Sequence, residues 1–250
     1  MWKYKELIKN LTVADLKNRY QNTSLGFFWS LLSPFLLAGV LYFVFRHLFG
    51  QEKYFAINLL VGIMAWRLFA IGTSSSLGVI IAKASLVTKV YIPRQIIVLS
   101  NTLANLISSM FEFTILLPII FILFGYLPVT ALLFPLVHLL FFWFLFGIGL
   151  LLSGLYVYFR DLNQIWEVLI NVLFFCSPII YPLAMVPNYL TPYYLFNPIT
   201  QFIEIYRNLM IAGTLPTFYS IANVITTGVA VYLIGSFVFN KLQRRFAEEI

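Results

Sequence analysis

Residues 95 to 159 contain one charged side chain, Glu112, and residues 168 to 240 contain two, Glu204 and Arg207. Between these tracts stand an adjacent base and acid, Arg160 and Asp161, followed by an apolar run that Pro178 and Pro182 interrupt. A water-soluble domain cannot hide so much uncharged chain, since roughly 25% of its residues are charged. Here 10% are charged, 61% are hydrophobic and the mean hydropathy is +0.91. The expected fold is all-α and integral to a membrane, because a helix satisfies its own backbone hydrogen bonds in lipid. The Arg160-Asp161 pair then marks a place where the chain leaves the lipid and turns back.

Crossing a bilayer takes about 20 predominantly apolar residues. Six runs qualify: residues 20–45, a second ending at Ala82 and interrupted by Arg67, then 96–124, 132–157, Asn163 to Ser177, and 219–239. Pro34 is expected to kink the first without breaking it. Six spans place both termini, the 83–94 loop and the Arg160 turn on one side. That side holds twelve Lys and Arg, against three on the other (Arg46, Lys53 and Arg207). The positive-inside bias therefore sets both termini in the cytoplasm. It also accounts for the net charge of +7 more economically than nucleic-acid binding does. Residues 1–250 read as a single transmembrane domain.

Residues 1–22 form the expected N-terminal amphipathic helix in the membrane interface. Tyr4, Leu7, Ile8, Leu11 and Ala14 fall at helical spacing among Lys3, Lys5, Lys9, Lys17 and Arg19. Thr12 and Asp15 have capping-box spacing, at which the helix would divide in two. Trp2 to Arg19 lacks the continuous apolar core of a cleavable signal. Outside, residues 178–216 carry too many prolines for one helix. Asn197 and Pro198 open, and Gly213 closes, a short external or re-entrant helix with Glu204 and Arg207 on one face.

Catalytic constellations are missing from the sequence. His47 and His138 are far apart, no cluster has metal-ligand spacing, and no Gly-rich phosphate loop with its Lys occurs. Cys176 reads as a small buried hydrophobe. Two ionisable groups lie inside spans: Arg67, 16 residues above Lys83, and Glu112, 17 residues above Gln95. At about 1.5 Å per residue both reach roughly 24–26 Å above the same loop. Partnership between Arg67 and Glu112, as a structural brace, is the expectation. Glu167, lower in the fifth span, is a candidate partner for a basic loop residue.

Four stretches carry a family likeness, residues 83–94 being the fourth. The first is Arg19, Tyr20, Ser24, Leu25, Gly26, Trp29 and Pro34. The second is Tyr158, Arg160, Asp161 and Leu162, followed by Phe174, Phe175, Ser177, Pro178, Ile179 and Tyr181. The third is the external segment around Asn197, Pro198, Glu204 and Arg207. Together they resemble the permease subunit of ABC exporters of polysaccharide, the O-antigen, capsule and teichoic-acid class. The resemblance implies a type-2 ABC exporter permease fold in the cytoplasmic (inner) membrane. It also implies a second copy of the chain and two ABC ATPase subunits, which carry the ATP and Mg.

The cargo implied is a lipid-linked glycan, led between two copies along the first and fifth spans. That directs attention to Phe27, Phe28, Trp29, Phe35, Tyr42, Phe174, Phe175 and Tyr181, whose rings suit the C–H faces of sugars. Trp29 and Tyr20 also suit interface anchors. Lys17 and Arg19 suit a lipid diphosphate, or ordinary anionic lipid. Residues 83–94 resemble the family's cytoplasmic coupling helix through Leu86, Val87, Lys89, Pro93 and Arg94; a positive-inside anchor is the plainer reading of the same residues. Two other functions stay open: an ABC exporter of drugs or small lipids, and an ion-coupled carrier or channel with Glu112 as its membrane carboxylate.

Overall fold

Among the described residues five stretches are both long and apolar enough to cross a bilayer, and each is a helix: α2 (Phe28–Phe49), α3 (Phe55–Leu77), α6 (Gln95–Phe124), α7 (Phe134–Tyr158) and α11 (Phe218–Leu242). The computed structural model describes residues 2–20, 26, 28–49, 54–90 and 92–249. No strand occurs among the described residues. The fifth expected span is α8 (Leu162–Phe175), apolar but 14 residues long. At 1.5 Å per residue it covers ~21 Å, less than the ~30 Å hydrocarbon layer. The chain breaks at Cys176 and folds back, burying Ser177 to Ile180. The remaining helices are α1 (Lys5–Tyr20), α4 (Val79–Ala82), α5 (Ala84–Lys89), α9 (Thr191–Phe196), α10 (Pro198–Arg207) and α12 (Phe246–Glu249).

Helix α3 is the hub. Of its apolar window 72% is buried, against 11% for α2 and 17% for α11. It packs against α2, α6, α7, α8 and α10. Its polar side chains meet those of α6: Asn101 Nδ2 donates to Ser75 Oγ (3.0 Å) and Ser76 Oγ (3.1 Å), and Asn105 Nδ2 donates to Ser75 Oγ (2.8 Å). Lipid offers such groups no partner, so they are satisfied between helices.

Helices α7 and α11 pack closely along their lengths because two glycines meet. A Cβ on Gly147 would lie 2.6 Å from the Tyr232 backbone nitrogen, and one on Gly235 would overlap the Gly147 carbonyl oxygen. Small residues allow this backbone approach, and dispersion over the contact replaces the hydrophobic drive that lipid does not supply.

The external helix α10 begins as expected. Asn197 Oδ1 accepts from Ile199 N at 3.0 Å, Pro198 follows, and Gly213 ends the segment with φ +68° after one π-helical turn. It is seated in the bundle, as a re-entrant helix would be. Phe202, Ile203, Ile205 and Tyr206 are buried, and Phe141 stacks on Phe202 with centroids 4.0 Å apart. The Tyr206 hydroxyl lies 2.9 Å from His138 Nδ1, whose Nε2 is 3.3 Å from Ser109 Oγ. One histidine thus joins α6, α7 and α10.

Three local expectations change. Helix α1 does not divide: Thr12 donates to the Ile8 carbonyl at 2.8 Å, a mid-helix bond, and Asp15 is held by Lys83 Nζ at 2.7 Å. Its inner seam runs through Tyr4, Ile8, Leu11, Thr12, Asp15 and Arg19 and packs on α6, leaving Ala14 exposed. Cys176 is exposed rather than buried, since α8 has no buried residue and the thiol sits at its end.

The glycine contact gives the first prediction. Gly147→Ala or Gly235→Ala, measured as thermal unfolding in detergent, is expected to cost about 1–3 kcal/mol of stability through overpacking. Gly39→Ala, where a Cβ meets nothing within 4 Å, is expected to be neutral.

Candidate functional site

One face of α3 is not covered by the bundle. Arg67, Ala70, Ile71 and Ser74 recur at i, i+3, i+4 and i+7 and point between α2 and α8. On the α8 side a cavity of about 410 Å³ is lined by Ser74, Trp166 and the polar residues Asn163, Glu167 and Asn171. Those three are spaced by four, so they form one stripe, and all are exposed. Trp166 fixes α8 against the hub by donating from Nε1 to Thr73 Oγ1 at 3.1 Å.

On the α2 side a cavity of about 230 Å³ is lined by Arg19, Trp29, Ser30, Ser33, Arg67 and Glu112. Ile71 borders both cavities, which makes them parts of one polar furrow. A polar stripe on an apolar helix is costly against lipid and belongs against water or a polar cargo.

Arg67 and Glu112 share this cavity, as their depths suggest, but do not close to a salt bridge. Arg67 Nε is buried and has no hydrogen-bond partner among the described residues. Arg19 Nη2 donates to Asn105 Oδ1 at 2.7 Å, bringing the end of α1 to the furrow's base. Lys17 lies on the exposed side of α1, apart from Arg19. Glu167 forms no ion pair among the described residues; it stays in the α8 stripe instead.

The expected aromatic residues are dispersed. Trp29 lines the furrow. Phe28 is exposed, and Tyr42 lies further along α2 with its ring 5.9 Å from that of Phe55. Phe35 packs on the core, and Phe174 packs edge-on against Trp66 at 5.5 Å. Phe175 is exposed at the end of α8. Tyr181 donates to the Phe175 carbonyl at 2.8 Å and lies 2.8 Å from the Tyr194 hydroxyl. Burial and that second bond push its phenol well above the usual range, so it remains neutral. Phe27 lies outside the described residues, as do Ser24 and Leu25. The sequence likeness points to aromatic rings and passes over the α8 stripe, whose four-residue spacing is the signal that finds it.

Above the furrow, a cavity of about 440 Å³ includes Tyr54, Asn58, Tyr181, Glu204 and Arg207. Arg207 ties this region together: Nη1 donates to Glu204 Oε1 (2.9 Å), and Nη2 donates to the Ile179 (3.0 Å) and Asn58 (3.2 Å) carbonyls. Gly62 makes room, since a Cβ there would sit 3.0 Å from Arg207 Nη2 and 3.2 Å from the Ile179 oxygen.

At the opposite end α5 occupies six residues of the 83–94 loop and is clamped at both flanks. Lys83 bonds Asp15, while Arg94 donates to the Gln243 carbonyl and lies over the Phe246 ring at 5.9 Å. Val87 turns inward into the cluster that includes Ile80, Ile97 and Phe246; Leu86 is half-buried. Lys89 and Val90 are exposed beside a groove of about 930 Å³ that reaches Pro93 and Arg94. Of the residues expected to couple, Lys89, Pro93 and Arg94 thus border the outward groove, while the Val87 side chain is covered.

The ABC-2 type transporter family model matches residues 6–211. The chain belongs to this family. The O-antigen export system permease protein RfbA of Klebsiella pneumoniae is 32% identical over 97% of this chain and 94% of its own. Its namesake in Myxococcus xanthus is 27% identical over 100% and 97%. The polysialic acid transport protein KpsM of Escherichia coli is 24% identical over 84% and 83%. For this ABC-2 chain the furrow lies on helices that the family match covers, α2, α3 and α8.

The geometry of α8 gives a second prediction. In protein lacking Cys176, Asn163→Cys, Glu167→Cys and Asn171→Cys are expected to react with a membrane-impermeant thiosulfonate. Val168→Cys and Val172→Cys, exposed on the apolar side, are expected to resist it.

Proposed function

We propose that this ABC-2 chain is the membrane-spanning subunit of an ATP-driven exporter that moves a lipid-linked polysaccharide, O-antigen-like in class, out across the inner membrane. The observation that carries the reading is the furrow, a polar and partly aromatic surface open along the outside of an apolar bundle. A glycan needs hydroxyl and amide partners with some ring surface and few charges. Ser74, Trp166, Asn163 and Asn171 supply that mixture. One chain leaves the furrow open at its side, so two copies facing each other form the conduit. The relatives named as O-antigen and polysialic acid export proteins support the choice of cargo.

Both termini lie in the cytoplasm in this arrangement, where the Lys and Arg concentrate. Two separate ATPase subunits dock there and carry ATP and Mg. Their contact is the exposed side of α5 with its adjoining groove. Because α5 is bonded to α1 through Lys83 and to the C-terminal segment through Arg94, a push on it moves the base of the bundle as a unit. Membrane lipid covers the remaining apolar surface, and nucleic acid has no part.

Deleting the gene in its host and staining the cell surface for glycan tests the cargo: loss of surface glycan with accumulation inside is expected, whereas intact glycan with altered drug tolerance refutes it. Lys89→Glu combined with Val90→Asp is expected to leave insertion and thermal midpoint unchanged while lowering ATP hydrolysis and export by the assembled complex. Val87→Ala is expected to cost stability instead, roughly 1–2 kcal/mol for a buried truncation.

A further inference from the structure

Two guanidinium groups and one carboxylate converge at the α2 end of the furrow. Arg19 comes from the end of α1, Arg67 from the middle of α3 and Glu112 from α6, and the cavity they line is closed by Trp29, Ser30 and Ser33 of α2. The two guanidinium groups outnumber the one carboxylate, so the cluster carries net positive charge. Arg19 is bonded to a neutral acceptor, Asn105. Neither arginine reaches salt-bridge distance of Glu112, and Arg67 Nε is buried with no acceptor among the described residues. Glu167 lies past Ile71 on α8 and does not line this cavity.

A donor without an acceptor and a cation without a counter-charge are both expensive inside a membrane. A bound anion with several acceptor oxygens removes both costs, and guanidinium forks match phosphate oxygens in geometry. With about 30 Å³ per water molecule in the liquid, the cavity of about 230 Å³ has room for a phosphate or diphosphate. Beside it runs α2, whose exposed side chains include Leu36, Leu37, Val40 and Phe43. An apolar tail can leave the cavity along that helix.

We propose that this cavity seats the phosphate group of a membrane lipid between Arg19 and Arg67, with Glu112 limiting how tightly it is held. Attributing that lipid to the carrier of an exported glycan rests on the export reading; binding of the phosphate does not.

The test is binding of radiolabelled geranylgeranyl diphosphate to the intact permease in phosphatidylcholine nanodiscs. Arg67→Gln is expected to weaken binding about tenfold, the loss of one charge-assisted hydrogen bond. Glu112→Gln is expected to strengthen it, and Lys17→Gln, on the outer side of α1, to leave it unchanged. A purely structural cluster gives no such opposite signs. Should Arg67→Gln fail to fold, Arg67→Lys retains the charge and is expected to keep most of the binding.

Competition identifies the source. Displacement by unlabelled prenyl diphosphate alone assigns the site to a lipid carrier, by phosphatidylglycerol to bulk lipid, and by inorganic diphosphate to the free anion; each retains the phosphate site. Equal displacement by geranylgeraniol, or Arg67→Gln binding like the wild type, overturns it. Such a failure with surface glycan still exported leaves the export reading standing. Phosphate binding as expected in a protein whose deletion leaves surface glycan intact removes the export reading and keeps the site.

Discussion

Asn101 and Asn105 of α6 donate to the hydroxyls of Ser75 and Ser76 of α3, and the arrangement of the bundle follows from this. In water those amides would have solvent to fall back on; in lipid they bond across the helix pair or remain unsatisfied. The ladder fixes the rotation of α3 about its own axis. With Ser75 and Ser76 held against α6, the stripe of Arg67, Ile71 and Ser74 falls at the edge of that contact, where it borders the furrow. Polar pairing along one side of the helix thereby sets which residues the adjoining side presents.

Packing around that axis is uneven in a way that suits transport. The glycine contact of α7 with α11, and the stacking of α10 on α7, give a dense interior on one side. On the other, α2 is largely uncovered and α8 has no buried residue. Helix α8 is nevertheless anchored, through Trp166 to Thr73. Below, α1 is bonded both to Lys83 beside α5 and to Asn105 at the foot of the furrow. Displacement of α5 therefore has a mechanical route to the furrow through a single 16-residue helix. Above, Arg207 joins three backbone or side-chain acceptors at the point where the chain folds back after α8.

Hydropathy and charge sufficed to locate the membrane helices, because lipid imposes length and apolarity on each one independently of its neighbours. The ends of α6, α7 and α11 fall within a few residues of those expected. Cap chemistry located α10 from Asn197, Pro198 and Gly213. What the pattern could not supply was direction within the bundle. Periodicity gave α1 an apolar face but not that α6 would cover it, so Thr12 looked like a cap instead of an inward residue. Val87 looked like a docking residue because burial beneath a loop leaves no periodic trace in six residues. The depth argument brought Arg67 and Glu112 to one cavity. It could not tell contact from proximity, since depth fixes one coordinate and helix rotation fixes the other. Arg19 reaches the same cavity from 86 residues away from Asn105 in sequence, which no local pattern announces.

The proposed route of the cargo runs along the outward face of α3 between α2 and α8. A photoreactive amino acid at Ile71, in the complete exporter hydrolysing ATP, tests it against the same group at Phe237 on the exposed side of α11. Glycan captured at Ile71 during turnover, with only lipid captured at Phe237, is the expected result. Capture of glycan at Phe237, with Ile71 labelling lipid alone, would contradict it.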